Sequence, residues 1–214
     1  MENGETKSVR TSYDLVADEY ARRIYDELQH KPLDRQLLDR FVAMVPKTGL
    51  VCDIGTGPGH VARYLNDRGL HVCGIDLSAE MVARARQLNP GIEFRRGNMF
   101  ALDVPDGTFD AITGFYALVN IARPDIVRAL RELRRVLKPG GFVLLAFHIG
   151  DRDLHRSEWW GAEVSLYFYF FRPDEMSGYL RAAGFEVGGA IERDPYPEIE
   201  QQTRRAYIFA RKPS

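Results

Sequence analysis

The residues best suited to chemistry lie in the stretch VCDIGTGPGHVARYL, residues 51–65. A short apolar run ends in a carboxylate, Asp53, and is followed by Gly55, Gly57 and Gly59 before a helical pattern starts near His60. Glycine lets the backbone adopt positive φ and approach a ligand closely. The start of a helix offers free N–H groups to polar or anionic groups. The stretch therefore predicts a ligand-binding loop between a strand and a helix.

A second carboxylate, Asp76, follows the next apolar run about twenty residues further on. An acid at that position can accept hydrogen bonds from both hydroxyls of a ribose, which favours an adenosine-type cofactor. The alternative is a surface Asp that caps the next helix, although Ser78 already fits the cap. A dinucleotide fingerprint needs a third glycine where this chain has His60, and Asp53 would repel a pyrophosphate but suit a cationic amino group.

Four side chains are candidates for a general base, which is needed only if a substrate must lose a proton. His148 leads because it ends the fifth predicted strand, at the ligand-bearing edge of the sheet; the others are His155, His60 and Tyr116. The alternative for His148 is a histidine paired with backbone and water. His155 is predicted to lie in a loop, GDRDLHRSEWW.

The elements that must position these residues alternate along the chain. Two amphipathic helical patterns precede the first strand, and short apolar strands then alternate with helices as far as FVLLAFH. This pattern predicts an α/β fold with a parallel sheet covered on both faces. The last two predicted strands are joined by PYPEIEQQ, which is too short for a crossover helix, so we expect that pair to be antiparallel.

Composition restricts the functional classes. The chain has 214 residues and a formal net charge of -1, from 29 basic and 30 acidic residues, which predicts one domain and gives no reason to expect nucleic-acid binding. Residues 1–10 are polar and predicted to be disordered, with no signal peptide and no membrane-spanning run elsewhere. Cys52 and Cys73 form no metal-ligand spacing, so we expect no metal and a cytoplasmic location.

Five segments in the same order resemble the class I S-adenosylmethionine-dependent methyltransferases of the small-molecule type. VCDIGTGPG is similar to the first motif of that family, GIDLS to the acidic second motif, and RGNMFAL to the adenine-side third motif, although Asn98 stands where the family often has Asp. FDAITGFYALVNI and LRELRRVLKPGGFVLLA resemble the segments around the fourth and fifth strands. The resemblance covers roughly residues 10–210.

The resemblance implies a three-layer, doubly wound (Rossmann-like) sheet of seven strands, mostly parallel with an antiparallel last strand. It implies one methyltransferase domain over residues 11–214, divided into a lid (11–46), a cofactor-binding core (47–150), an acceptor-side segment (151–172) and a last helix with a strand pair (173–214). S-adenosylmethionine would be the cofactor and S-adenosylhomocysteine the product. The implied cofactor contacts are Tyr13, Asp53, Gly55, Thr56, Gly57, Gly59, Asp76, Leu77, Met81, Asn98, Met99, Phe115 and Tyr116, with Ala117 and Tyr20 nearby.

Of these, Asp53 would bind the ammonium group directly or through water, Asp76 the ribose, and Asn98 the adenine edge. Tyr13 would close over the cofactor, where aromatic faces stabilise a sulfonium; simple helix packing is the alternative. An aromatic segment, VSLYFYFF, is predicted to be extended and either to complete the core or to line an apolar acceptor site.

Three functional hypotheses follow. The first is a methyltransferase that acts on a small organic acceptor, as a monomer or homodimer and without membrane or nucleic-acid partners. The second is a methyltransferase that modifies protein or RNA, which would need a charged groove. The third is a nucleotide-dependent oxidoreductase or a non-catalytic nucleotide-binding module, which the glycine spacing disfavours.

Overall fold

The computed structural model describes residues 4–214 and has an α/β architecture. The helices are α1 (Gly4–Ile24), α2 (Pro32–Met44), α3 (His60–Asn66), α4 (Ala79–Leu88), α5 (Arg123–Val136) and α6 (Pro173–Ala182), with a short 3-10 helix at Glu27–His30. The strands are β1 (Leu50–Ile54), β2 (His71–Asp76), β3 (Glu93–Arg96), β4 (Phe109–Phe115), β5 (Leu137–His148), β6 (Leu154–Trp159), β7 (Ala162–Phe168), β8 (Glu186–Arg193) and β9 (Arg205–Arg211).

Seven strands form one sheet in the order β3-β2-β1-β4-β5-β9-β8. All neighbours from β3 to β5 are parallel, whereas β9 runs antiparallel to both β5 and β8. The predicted seven-stranded sheet with an antiparallel last strand is therefore confirmed. The strand order reverses between β1 and β4, the point at which such sheets open a crevice for a ligand.

Two apolar layers cover the faces of this sheet. Because neighbouring side chains of a strand point to opposite faces, Leu144 joins the layer formed with α2, α3 and α4, while Leu145 joins the layer formed with α5 and α6. Phe41 is fully buried in the first layer and Leu130 in the second. The three-layer arrangement fixes the carboxyl ends of β1, β2 and β4 along one edge.

The first helix corrects one prediction. Residues 4–10 were predicted to be disordered but belong to α1, while residues 1–3 lie outside the described residues. The Tyr169 hydroxyl donates to Glu5 Oε1 (2.9 Å), and Ser8 Oγ donates to the Ser165 carbonyl (2.8 Å). These partners are more than 150 residues away in sequence, so the polar composition of the segment could not reveal them.

A second correction concerns residues 154–159, predicted as part of a loop. They form β6, which pairs with β7 in a separate two-stranded hairpin. Its turn places Trp160 at φ 53° and Gly161 at φ 85°, the pair of positive φ angles that a tight hairpin turn requires. The hairpin shares a small core with α1, in which Val16, Val164 and Leu166 are buried.

Candidate functional site

A cavity of about 970 Å³, including the part open to solvent, lies at the reversal point between β1 and β4. The strand ends supply one side of it, and α1 supplies the other through residues that include Glu5, Val9 and Tyr20. Ten of the thirteen predicted cofactor residues line this cavity: Tyr13, Gly55, Gly57, Asp76, Leu77, Met81, Asn98, Met99, Phe115 and Tyr116. Sequence positions up to 103 residues apart thus meet at one place.

The glycine loop is held against the end of β2. Gly55 has φ 63°, and a Cβ there would lie 2.7 Å from the Cβ of Ala117, so the close approach needs glycine. The backbone N–H of Gly57 donates to Asp76 Oδ2 (2.8 Å), and the N–H of Thr56 donates to the Ile75 carbonyl (3.1 Å). The loop therefore passes along the cavity with its backbone fixed.

Asp76 is held in place by two backbone donors. Gly57 N–H binds Oδ2, and Ser78 N–H binds Oδ1 (2.9 Å). Loss of hydration raises the pKa of Asp76 to about 6, and the nearby Asp53 adds to this effect, whereas the backbone donors oppose it. Ser78 Oγ accepts from Met81 N–H (3.1 Å), so Ser78, and not Asp76, is the N-cap of α4.

Three predicted contacts do not line the cavity. Asp53 is 2% exposed, and its two carboxylate oxygens accept from Thr56 Oγ1 (2.6 Å) and Thr113 Oγ1 (2.8 Å). Thr56 is buried in the same contact. Gly59 has φ 83°, and a Cβ there would lie 2.8 Å from Phe94. These residues hold the loop from behind; a direct contact of any of them with cofactor stays a prediction.

The cavity wall combines apolar side chains with three acids. Glu5, Asp76 and Asp125 line it, and none of the described lining residues is Lys, Arg or His. Tyr13 and Tyr20 meet edge to face (6.0 Å between ring centroids), and each also contacts Trp159 at 5.8 Å. Such a wall stabilises a cation through ring faces and carboxylates.

The candidate bases lie away from the wall, apart from Tyr116. The His148 ring packs behind Tyr116 at a tilt of 42° (4.9 Å between ring centroids), and its Nδ1 is 2.7 Å from Thr203 Oγ1. Burial lowers the pKa of His148 to about 3, and the positive charges of Arg205 and Lys31 lower it further. A catalytic role for His148 stays a prediction.

The two other histidines also lie outside the lining. His155 lies on exposed β6, with Nε2 3.1 Å from Ser165 Oγ. His60 starts α3, with Nε2 3.3 Å from Glu27 Oε1. Tyr116 itself has φ 56°, uncommon for a bulky residue, and burial raises its pKa to about 12.

Sequence reasoning missed a charged network behind Tyr116. Lys31 Nζ lies 2.7 Å from Glu27 and 3.4 Å from Glu200, and Glu200 also binds Arg193 and Arg205. The Lys31 ammonium and the Arg205 guanidinium each lie 5.5 Å from the centre of the Tyr116 ring. No local sequence signal marks this network, because its members come from both ends of the chain.

Neither a metal site nor a membrane-spanning helix is present among the described residues. Within residues 4–214, no cluster of His, Cys, Asp and Glu has the arrangement of a metal site. None of the helices described is both long enough and apolar enough to cross a membrane.

Comparisons with known proteins agree with this geometry. A family model described as a methyltransferase domain matches residues 51–141. The ubiquinone biosynthesis O-methyltransferase of Pseudomonas paraeruginosa is 31% identical over 175 residues, which cover 75% of this chain and 73% of that protein. The malonyl-[acyl-carrier protein] O-methyltransferase of Enterobacter lignolyticus is 33% identical over 134 residues, covering 62% of this chain.

The match covers only 52% of the Enterobacter protein, so the chain spans about half the length of that relative. Among solved structures, the complex of DhpI with S-adenosylhomocysteine superimposes with a TM-score of 0.76 at 23% identity and covers 98% of both chains. At that identity, the likeness shows the fold.

Proposed function

The chain belongs to the class I S-adenosylmethionine-dependent methyltransferase family, and we propose that it transfers a methyl group from S-adenosylmethionine to a small organic acceptor. The cofactor supplies an electrophilic methyl group on a sulfonium. The protein would hold the two reactants in line at near-attack distance, which accounts for a large share of the rate acceleration in such displacements.

The charge of the cavity wall carries this proposal. S-adenosylmethionine has a net positive charge, because its sulfonium and ammonium groups outweigh its one carboxylate. The wall offers Glu5, Asp76 and Asp125 with no cationic side chain among the described lining residues. A dinucleotide would bring a pyrophosphate into the same acidic surroundings, where no side chain would compensate its charge. The residues present therefore fit the sulfonium cofactor better than a nicotinamide dinucleotide.

Within the cavity, we assign the residues by position along the strand ends. Asp76 would accept the ribose hydroxyls, Asn98 and Met99 would meet the adenine edge, and Leu77 with Met81 would flank the ring. The reacting end would lie near Phe115 and Tyr116, beneath the rings contributed by Tyr13 and Tyr20. The orientation of Asp76 is already fixed by its backbone donors, so binding would need little rearrangement there.

The acceptor side is the wall that contains Tyr20 and Tyr116, backed by the aromatic residues of the hairpin. The apolar rings of this wall support a small organic acceptor. Two relatives carry the word O-methyltransferase in their names, which makes hydroxyl and carboxyl oxygens the first acceptors to test. Cytoplasmic location and a monomeric or homodimeric state remain predictions.

Calorimetric titration of the purified protein tests the proposal directly. S-adenosylmethionine and S-adenosylhomocysteine should bind with micromolar affinity, and NADH should not bind. The protein would then be incubated with S-adenosylmethionine and hydroxylated aromatic acids. Formation of S-adenosylhomocysteine would be measured by mass spectrometry. Binding of NADH alone would exclude the proposal. Binding of S-adenosylmethionine without turnover of any acceptor would reject the transfer activity and leave only cofactor binding.

A further inference from the structure

Helix α1, which lines the cavity, and the β6–β7 hairpin, which packs on α1, form one unit that we call the cap. Besides their shared core, the N–H of Ser165 donates to Ser12 Oγ (3.1 Å), and the Ser165 carbonyl accepts from Ser8 Oγ (2.8 Å). Both backbone groups of one β7 residue are thus bound by α1. A displacement of either half of the cap would break these bonds unless the two halves moved together.

One side chain from the segment between β4 and α5 joins both halves of the cap. Asn120 lies in the segment after β4 and lines the cavity. Its Oδ1 accepts from the Tyr13 hydroxyl on α1 (2.8 Å), and its Nδ2 donates to the Tyr167 carbonyl on β7 (2.7 Å). A primary amide is needed for this pair of bonds, because it presents an acceptor and a donor side by side.

The Tyr13 ring is part of the cavity wall, and its hydrogen bond to Asn120 holds the ring in that position. The ring contacts Tyr20 and Trp159 edge to face, and burial raises the pKa of Tyr13 well above its ordinary value. The hydroxyl therefore stays protonated and available as a donor. Opening this side of the cavity requires Tyr13 to leave Asn120.

We propose that Asn120 is a positioning residue that latches the cap: it holds Tyr13 over the bound cofactor and ties β7 to the same point, so that the cofactor leaves only when both bonds break. The inference rests on the proposed function, because it takes S-adenosylhomocysteine as the occupant of the cavity. Release from such a site is governed by the opening of the cap. Asn120 acts through Tyr13 and Tyr167 and needs no contact with the reacting atoms.

A double-mutant cycle tests the latch. The variants are Tyr13→Phe, which removes the donor and keeps the ring, Asn120→Leu, which removes both bonds, and the double variant. The dissociation rate constant of S-adenosylhomocysteine would be measured by stopped-flow fluorescence, since both tryptophans of the chain, Trp159 and Trp160, lie in the cap. One neutral hydrogen bond corresponds to roughly a three- to tenfold change.

We expect Tyr13→Phe, which loses one bond, to release S-adenosylhomocysteine about three to ten times faster. Asn120→Leu, which loses both bonds, should release it faster still, and the double variant should be no faster than Asn120→Leu. Hydrogen exchange should rise in α1 and β7 together in Asn120→Leu. Tyr25→Phe is the matched control: it removes a second Tyr–Asn bond, from Tyr25 to Asn89 (2.7 Å), away from the cavity, and should leave the release rate unchanged.

Other results would overturn the latch. If the rate increases of the two single variants multiply in the double variant, Tyr13 and Asn120 act independently. Unchanged release in both single variants, or an equal acceleration in Tyr25→Phe, would assign the bonds to general stability. If the wild-type protein binds no S-adenosylhomocysteine, the proposed function fails and the latch fails with it, whereas normal binding with no coupling rejects the latch alone.

Discussion

Replacing Asp76 by Asn should weaken cofactor binding with little change in shape. Asp76 now accepts from the N–H groups of Gly57 and Ser78, which leaves lone pairs on both oxygens for two ribose hydroxyls. An Asn side chain keeps one acceptor oxygen and turns an NH₂ group toward one of those backbone donors. At least one hydrogen bond to a charged group is lost, which is worth about 1.5–3 kcal/mol. The Kd for S-adenosylhomocysteine should therefore rise about 10- to 150-fold.

The same carboxylate predicts a pH dependence. Hydroxyl donors favour the ionised form, and the pKa of Asp76 in the free protein is raised to about 6. The affinity should then be fully present above that pKa and should fall as the pH drops through it. At about pH 5 roughly one molecule in eleven is ionised, so the Kd should be about tenfold higher than at about pH 7.5. Asp76→Asn should show no such dependence.

Isothermal titration of both proteins at the two pH values checks these numbers. Thermal melts would verify that the variant is folded, and Glu80→Gln, which removes an exposed carboxylate from the first turn of α4, is the control for net charge. The ribose assignment is refuted by equal Kd values for wild type and Asp76→Asn. A wild-type Kd that is flat between the two pH values would refute the raised pKa.

Three further predictions concern other parts of the site. The pKa of His148 is lowered to about 3. His148→Gln should therefore leave every inflection of the pH–rate profile between about pH 5 and pH 9 in place. Loss of an inflection would contradict the lowered pKa. Gly59→Ala should lower the free energy of unfolding by about 1–3 kcal/mol more than Gly69→Ala, since both have positive φ but a Cβ at Gly59 meets Phe94 while one at Gly69 meets nothing within 4 Å. Denaturant melts that give equal losses would contradict this. Glu200→Gln should lower the free energy of unfolding by about 3–5 kcal/mol, because the buried Arg205 guanidinium loses the acid that it binds. Lys31 and Arg193 also lose a partner there but keep Glu27 and Asp34. Exposed Glu192→Gln is the control, and a similar loss there would exclude the explanation.

The wall of the cavity formed by the strand ends could be predicted from sequence because its geometry is local. Each lining residue from the sheet lies at the end of a strand or in the turn that follows, and a parallel sheet brings those ends to one edge. Asp76 and Gly57 illustrate this: nineteen positions apart, they are joined by a hydrogen bond of 2.8 Å. Asp53 shows where such prediction ends. Its place before the glycine loop is evident from the sequence, but the direction of its side chain, toward Thr113, depends on the neighbouring strand β4.

The cap could not be predicted in the same way. Residues 4–10 lack an obvious apolar stripe, and their helix is supported by hydrogen bonds to positions 165 and 169. The charged, aromatic stretch of β6 becomes a strand by pairing with β7 and by covering α1. Tertiary contacts of this kind override local propensity, so both segments were assigned wrongly from composition alone.

The acceptor side combines both difficulties. Tyr116 was predictable from its place after β4, but the groups that surround its ring, Lys31 and Arg205, are 174 positions apart and neutralised by acids such as Glu200. A formal net charge of -1 conceals this network, because its three cations and its acids cancel in any count of composition. The strand-end wall of the cavity follows from the order of strands, whereas the surroundings of the Tyr116 ring follow from how the two ends of the chain meet. If the acceptor binds beside Tyr116, as proposed, variants at Lys31 and Arg205 should change the choice of acceptor more than variants in the glycine loop.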